Sequence, residues 1–110
     1  MPKLKTHILA QAIIRQAELA NAWPMLITKG DDDAGSILVL LYNSQQLYRI
    51  LGQTRNTEGE QAWFYISGPE PLAEEDTKFF IEKQRKRDPD LWVIECKSDS
   101  FSPPFEANIL

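Results

Sequence analysis

Gln84-Arg85-Lys86-Arg87-Asp88-Pro89-Asp90-Leu91-Trp92-Val93-Ile94-Glu95-Cys96 is the stretch from which the fold is read. A cationic segment ends a helix, Asp88-Pro89-Asp90 turns the chain, and Leu91 to Cys96 enters a strand apolar on both faces. Pro89 forbids continuation of the helix because it has no N–H and its ring clashes with the preceding turn. A strand apolar on both faces belongs inside a sheet covered on both sides. Ile37-Leu38-Val39-Leu40-Leu41 has the same character. The strand after the second helix is therefore expected to insert beside this central one.

Working outward, Thr6 reads as an N-cap and His7 to about Ala22 as a helix. Leu9, Ala10, Ile13, Ile14, Ala17 and Ala20 recur at three- and four-residue steps, while His7, Gln11, Arg15 and Glu18 form the opposite polar stripe. Pro24 stops the helix and pushes Trp23 toward an extended conformation. Strands are expected at Met25–Thr28, Ser36–Tyr42, Gln46–Leu51 and Gln61–Ile66. Between them lie a polar loop from Lys29 to Gly35, a turn at Asn43-Ser44-Gln45, and a mobile hydrophilic loop from Gly52 to Glu60. A linker, Ser67 to Pro71, leads to a second helix from Pro71 or Leu72 to Arg87. Its acidic start (Glu74, Glu75, Asp76) and basic end suit the helix macrodipole. Leu72, Ala73, Phe79, Phe80 and Ile81 supply its core face.

The order α-β-β-β-β-α-β predicts an α+β fold, a single domain over residues 1–98. Its expected architecture is a mostly antiparallel twisted sheet with two packed helices. Residues 99–110 form a C-terminal tail that reads as flexible by composition. Its apolar Phe101, Phe105, Ile109 and Leu110 give it the means to dock on its own body or on a neighbour's.

The 110 residues match the usual size of one domain. With 43% hydrophobic and 25% charged residues, the chain is not a disordered one. The longest apolar run, ending at Leu40-Leu41-Tyr42, is too short to span a bilayer. Ile8 to Ala10 is too short for the core of a signal peptide, so a cytoplasmic location without membrane contact is expected. A net charge of -4 argues against wholesale binding to a phosphate backbone. Cys96 is the only cysteine, so no intrachain disulfide forms, and it reads as a small buried apolar residue. With one histidine, His7, it does not complete a structural zinc site. No phosphate-cradling loop, dinucleotide fingerprint or nucleophile elbow occurs. No cofactor is expected, and the chain leans away from enzymes.

Three segments carry a resemblance. Ile13-Ile14-Arg15-Gln16-Ala17 looks like a leucine-arginine-arginine-alanine segment, Lys29 to Ser36 resembles a Gly-Asp-x-x-Ala-Gly loop leading into a strand, and Gln84-Arg85 with Asp88-Pro89-Asp90-Leu91-Trp92-Val93 resembles a closing signature. On these the chain is similar, over about residues 6 to 98, to an uncharacterised family found mainly in alphaproteobacteria, domain of unknown function 1491. Gln16 departs from it, standing where the second arginine of the pair would lie. The resemblance implies one α/β domain and no particular activity.

The candidate functional surface comprises Arg15, Asp31, Asp33, Arg85, Arg87, Asp88, Asp90 and Trp92. Asp31, Asp32 and Asp33, joined by Asp88 and Asp90, would offer hard oxygen ligands to magnesium or calcium. The simpler reading is a solvated turn whose aspartates bond nearby amides. One of Asp88 and Asp90 would serve as a general base or metal ligand; the simpler reading is that Asp88 ends the helix and Asp90 braces the turn. Lys83, Arg85, Lys86 and Arg87, with Arg15 and Lys29, are cations for phosphate or the solvated end of a helix. Trp92 reads as a stacking platform for bases or as core. The leading expectation is a small non-enzymatic interaction protein whose partner is another protein or itself. Its contact would be an exposed sheet edge or the tail, with a homodimer the default by symmetry. The alternatives are a nucleic-acid-associated accessory protein using the basic patch, and a metal-dependent hydrolase or phosphotransferase.

Overall fold

In the computed structural model, which describes residues 5–110, the expected insertion is observed. Strand β5 (Trp92–Lys97) lies between β1 (Met25–Thr28) and β2 (Ile37–Tyr42), followed by β3 (Tyr48–Arg55) and β4 (Gln61–Tyr65). β5 runs antiparallel to β1 and parallel to β2, in register from Ile37 opposite Trp92 to Tyr42 opposite Lys97. The remaining pairings, β2 with β3 and β3 with β4, are antiparallel.

Strand alternation divides the core. Ile37, Val39, Leu41, Trp92, Ile94 and Cys96 face one side, where helix α1 (Thr6–Leu19) buries Ala10, Ile13 and Ala17 against them. Leu38, Leu40, Leu91 and Val93 face the other, where Phe80 and Ile81 of helix α2 (Glu74–Arg87) pack with Leu72. Each such aliphatic side chain contributes about 1.5–3 kcal/mol when fully buried. The β2–β5 pair, apolar on both faces, is therefore the chief source of stability. Among the described residues no helix is long and apolar enough to cross a membrane.

Several boundaries differ from the sequence expectation. Lys5, not Thr6, takes the cap position of α1. Thr6 is buried inside the first turn, and its hydroxyl donates to the Gly35 carbonyl at 2.8 Å. The helix ends at Leu19 because Asn21 turns left-handed, with φ 57, and brings the Ala22 N–H to the Ala17 carbonyl. Trp23 is not extended but also has positive φ, 47, and its ring lies 5.2 Å from the Lys97 ammonium.

β3 does not stop at Leu51. It continues through Gly52, Gln53 and Thr54 to Arg55, because β4 pairs with all four. Only a tight turn remains, in which the Asn56 side-chain oxygen accepts from the Glu58 and Glu60 amides. α2 begins at Glu74, since Leu72 is held back by paired backbone bonds with Tyr48. Phe79 is 64% exposed and leaves the core face; Thr77 is buried instead, its hydroxyl donating to the Ala73 carbonyl.

The chain after Lys97 returns along the α1 side of the sheet. Phe105 is buried edge-on against Trp63, the Tyr65 hydroxyl donates to the Phe101 carbonyl, and the Glu106 N–H donates to the Gln16 side-chain oxygen at 2.6 Å. Trp63 donates its N–H to the Asn108 carbonyl and accepts from the Leu110 N–H, so the last residues cover the outer edge of β4.

At the other end of the sheet the loop from Gly30 to Gly35 docks on the entry to β5. The Asp31 N–H donates to the Asp90 carbonyl at 3.0 Å, and the Trp92 indole N–H donates to the Asp31 carbonyl at 2.7 Å. A Cβ on Gly30 or Gly35 would collide with the Asp90 carbonyl, which explains glycine at both positions. Trp92→Phe removes the indole N–H and also part of a buried ring system, leaving a void in the core. It should lower unfolding stability by about 2–3 kcal/mol, the cost of an unpaired carbonyl together with lost packing. Urea denaturation checks this, and an unchanged midpoint would show that the bond does not hold the loop.

Candidate functional site

The five-carboxylate site weighed as an alternative to a solvated turn is not assembled. The acidic loop does meet the Asp88–Asp90 turn, but through backbone groups and the Trp92 indole. Asp31 turns its carboxylate back on its own loop, accepting from the Ala34 N–H at 2.8 Å and the Asp33 N–H at 3.0 Å. These bonds, the one from Ala34 foremost, hold its carboxyl below the usual value. Asp33 lies 3.6 Å from the Lys5 ammonium, an exposed pair of little energetic weight. Asp88 accepts from the Asp90 N–H, and Asp90 acts through its main-chain oxygen. Among the described residues no three His, Cys, Asp or Glu side chains are grouped to hold a metal ion.

The basic set is also divided. Arg85 and Arg87 are exposed in the last turn of α2, whereas Arg15 is exposed on α1. The two helices pack on opposite faces of the sheet, so one phosphate backbone does not meet all three cations on one surface. Trp92 is 4% exposed and stacks nothing from solvent. Cys96 is fully buried, and burial pushes its thiol up to about 12, which keeps it protonated and unreactive at neutral pH. His7 faces the Asp32 carbonyl.

Two adjoining features escaped the sequence reading. The first is the β1 edge. Met25, Leu26 and Ile27 are 58%, 42% and 47% exposed, although each is a large apolar side chain. Leu19 and Trp23, just before the strand, are exposed as well. The second is a cleft of about 270 Å³ between α2 and the sheet. Ile27, Leu40, Val93 and Ile81 give it an apolar lining, and Glu74, Glu82, Glu95 and Lys78 are its charged groups. The Lys78 ammonium is 3.9 Å from the Glu74 carboxylate. Ile27 belongs to both features.

Glu95 is the charged residue of the inserted strand whose side chain enters the cleft. Burial pushes its carboxyl above the ordinary value; the Tyr48 hydroxyl offsets part of this and the Glu74 charge adds to it. The signal in the sequence was a lone acid interrupting a run that is otherwise apolar on both faces. Because its folded value is raised, the stabilising contribution is complete below the unfolded value and is lost as pH rises through the folded one. Glu95→Gln should therefore raise the melting temperature at neutral pH, and the gap should close as pH falls toward about 4. Calorimetry over that range checks it; a lower melting temperature at neutral pH would contradict the assignment.

Comparison with known proteins places the chain. Residues 4–106 match the family model described as protein of unknown function (DUF1491). The fold is similar to the crystal structure of a DUF1491 family protein from Caulobacter crescentus CB15, with 28% identity, a TM-score of 0.85, and coverage of 98% of this chain and 100% of that one. It is similar to an NMR structure of a DUF1491 family protein from the same organism, with 27% identity, a TM-score of 0.83, and coverage of 100% and 99%. A solution structure of a protein from A. tumefaciens, at 21% identity, shares the fold with a TM-score of 0.78 and coverage of 94% and 93%. No curated protein matches the chain.

Proposed function

The chain belongs to the DUF1491 family of proteins of unknown function, and we propose that it is a non-enzymatic interaction module that docks a partner protein along the β1 edge. The observation that carries this reading is the unequal treatment of the two sheet edges. The outer edge of β4 is covered by the chain's own last residues. Among the described residues the outer edge of β1 has no neighbouring strand in the sheet, and it presents Met25, Leu26 and Ile27 to solvent. Open edges invite pairing with other chains, and natural proteins blunt them with charge, proline, short strands, bulges or a cover. β1 is short and its register shifts between Leu26 and Thr28, but among the described residues it carries neither charge nor cover. An apolar, uncharged edge strand is instead suited to strand addition, in which main-chain bonds give affinity and alternate side chains give selectivity.

A second copy is the less suitable occupant. Antiparallel pairing of two β1 strands about a two-fold axis would set two clefts bearing Glu74, Glu82 and Glu95 on the same face, on either side of the seam. Like charges so placed oppose association. A different protein is therefore the preferred partner.

Site-specific photo-crosslinking tests the surface. A photoreactive side chain at Leu26, in cells that make the protein naturally, should yield a discrete adduct of larger mass. The same group at Thr57, in the distant β3–β4 turn, should not. Adducts from both positions, or from Thr57 alone, would remove β1 as the docking edge.

A further inference from the structure

Resting on that reading of the β1 edge, we infer that the docked segment is an extended basic one, carrying a lysine or arginine whose head group reaches the acidic cleft beside Glu95. The geometry begins at the register of β1 on β5, where Met25 stands opposite Glu95 and the two side chains share a face. Ile27 lines the cleft from that same edge strand. A strand added outside β1 would lie about 4.8 Å farther out, hence roughly 10 Å from β5. Side chains of that strand on the α2 side would pass over Met25 and Ile27 toward the cleft. A lysine or arginine has the length for this span, with its methylene stem lying on apolar surface and its charge beyond it.

The chemistry of the cleft selects the charge. Its charged groups are three carboxylates, Glu74, Glu82 and Glu95, against one ammonium, Lys78. That ammonium is already beside Glu74. Among the described residues Glu95 has no salt-bridge partner, and Tyr48 lines the cleft beside it. A carboxylate removed in part from water, without a counter-charge, is unfavourable until a cation arrives. The whole chain carries a net charge of -4, which would further draw a basic partner and repel an acidic one. An anionic or uncharged strand would cover the apolar edge and leave Glu95 more deeply buried and still unpaired. A cationic strand removes that cost. The cleft is thus the selective part of the surface, and the β1 edge the part that holds the backbone.

The probe is a short synthetic peptide of alternating valine and lysine, titrated into isotope-labelled protein and followed by amide chemical shifts. Peptides alternating valine with glutamine and valine with glutamate are the controls, and hexylamine alone is a fourth ligand. The valine–lysine peptide should shift the amides of Met25–Thr28 and of Glu95 together. Its affinity should fall about three- to fivefold for the glutamine peptide and for the Glu95→Gln, Glu82→Gln protein, as expected for a partly desolvated ion pair. Equal affinity for all three peptides, or no loss in the doubly substituted protein, would overturn the cationic selection while leaving edge docking intact. Hexylamine binding as tightly as the peptide, without shifts in β1, would overturn the extended-strand part. If no peptide moves the β1 amides and Leu26 gives no adduct, the edge reading itself fails and this inference fails with it.

Discussion

The bond from the Trp92 indole to the Asp31 carbonyl, with the Asp31 N–H returned to the Asp90 carbonyl, holds three separate segments at one point. The loop between β1 and β2 is clamped to the start of β5. The first turn of α1 is clamped to that loop, through the Thr6 hydroxyl on Gly35 and the His7 N–H on Asp32. Glycine at positions 30 and 35 lets the backbones approach this closely. Everything downstream follows from where β5 then enters the sheet. Entering beside Ser36, which accepts the Trp92 N–H, it runs parallel to β2 and fills the gap between β2 and β1.

That placement gives the molecule its two unequal sides. With β5 inserted, β1 becomes an outer strand whose one strand partner among the described residues is β5. Its apolar side chains have too little above and below them to be covered. The opposite edge has the same geometric problem and a local solution, because Phe105 anchors the tail on Trp63 and the Asn108 carbonyl and Leu110 N–H then bond the Trp63 backbone at the middle of β4. Gln16 takes part in this solution. Its side-chain oxygen accepts the Glu106 N–H, which an arginine at that position would be unable to do, having donors only.

The central strands were legible because burial on both faces leaves a pattern that local sequence carries: Ile37 to Leu41 and Leu91 to Cys96 read as interior whichever neighbours they have. The reading fell short where a residue's role is set by a distant partner. Gly52, Gln53 and Thr54 look like loop, and they become strand because β4 lies alongside. Phe79 looks like core, yet it falls on the wet side of α2. The aspartates belong to the legible part: they read foremost as turn residues bonding nearby amides, and Asp31 and Asp88 are so occupied, while only the docking of the loop shows that Asp90 works through its carbonyl. The β1 edge was legible as an apolar strand; its exposure was not, because exposure belongs to the order of strands. Glu95 was visible as a lone acid, but only the packing of α2 turns it toward a cleft.

The central claim is that one edge of this sheet is closed by the chain itself and the other is open. Amide hydrogen exchange on the free protein tests it most directly, since exchange reports which backbone groups are held. The Trp63 and Leu110 amides should be protected, and the outward-facing amides of Met25–Thr28 should exchange close to the unprotected rate. Protection along the whole of β1, or a Leu110 amide as fast as a free terminus, would contradict it.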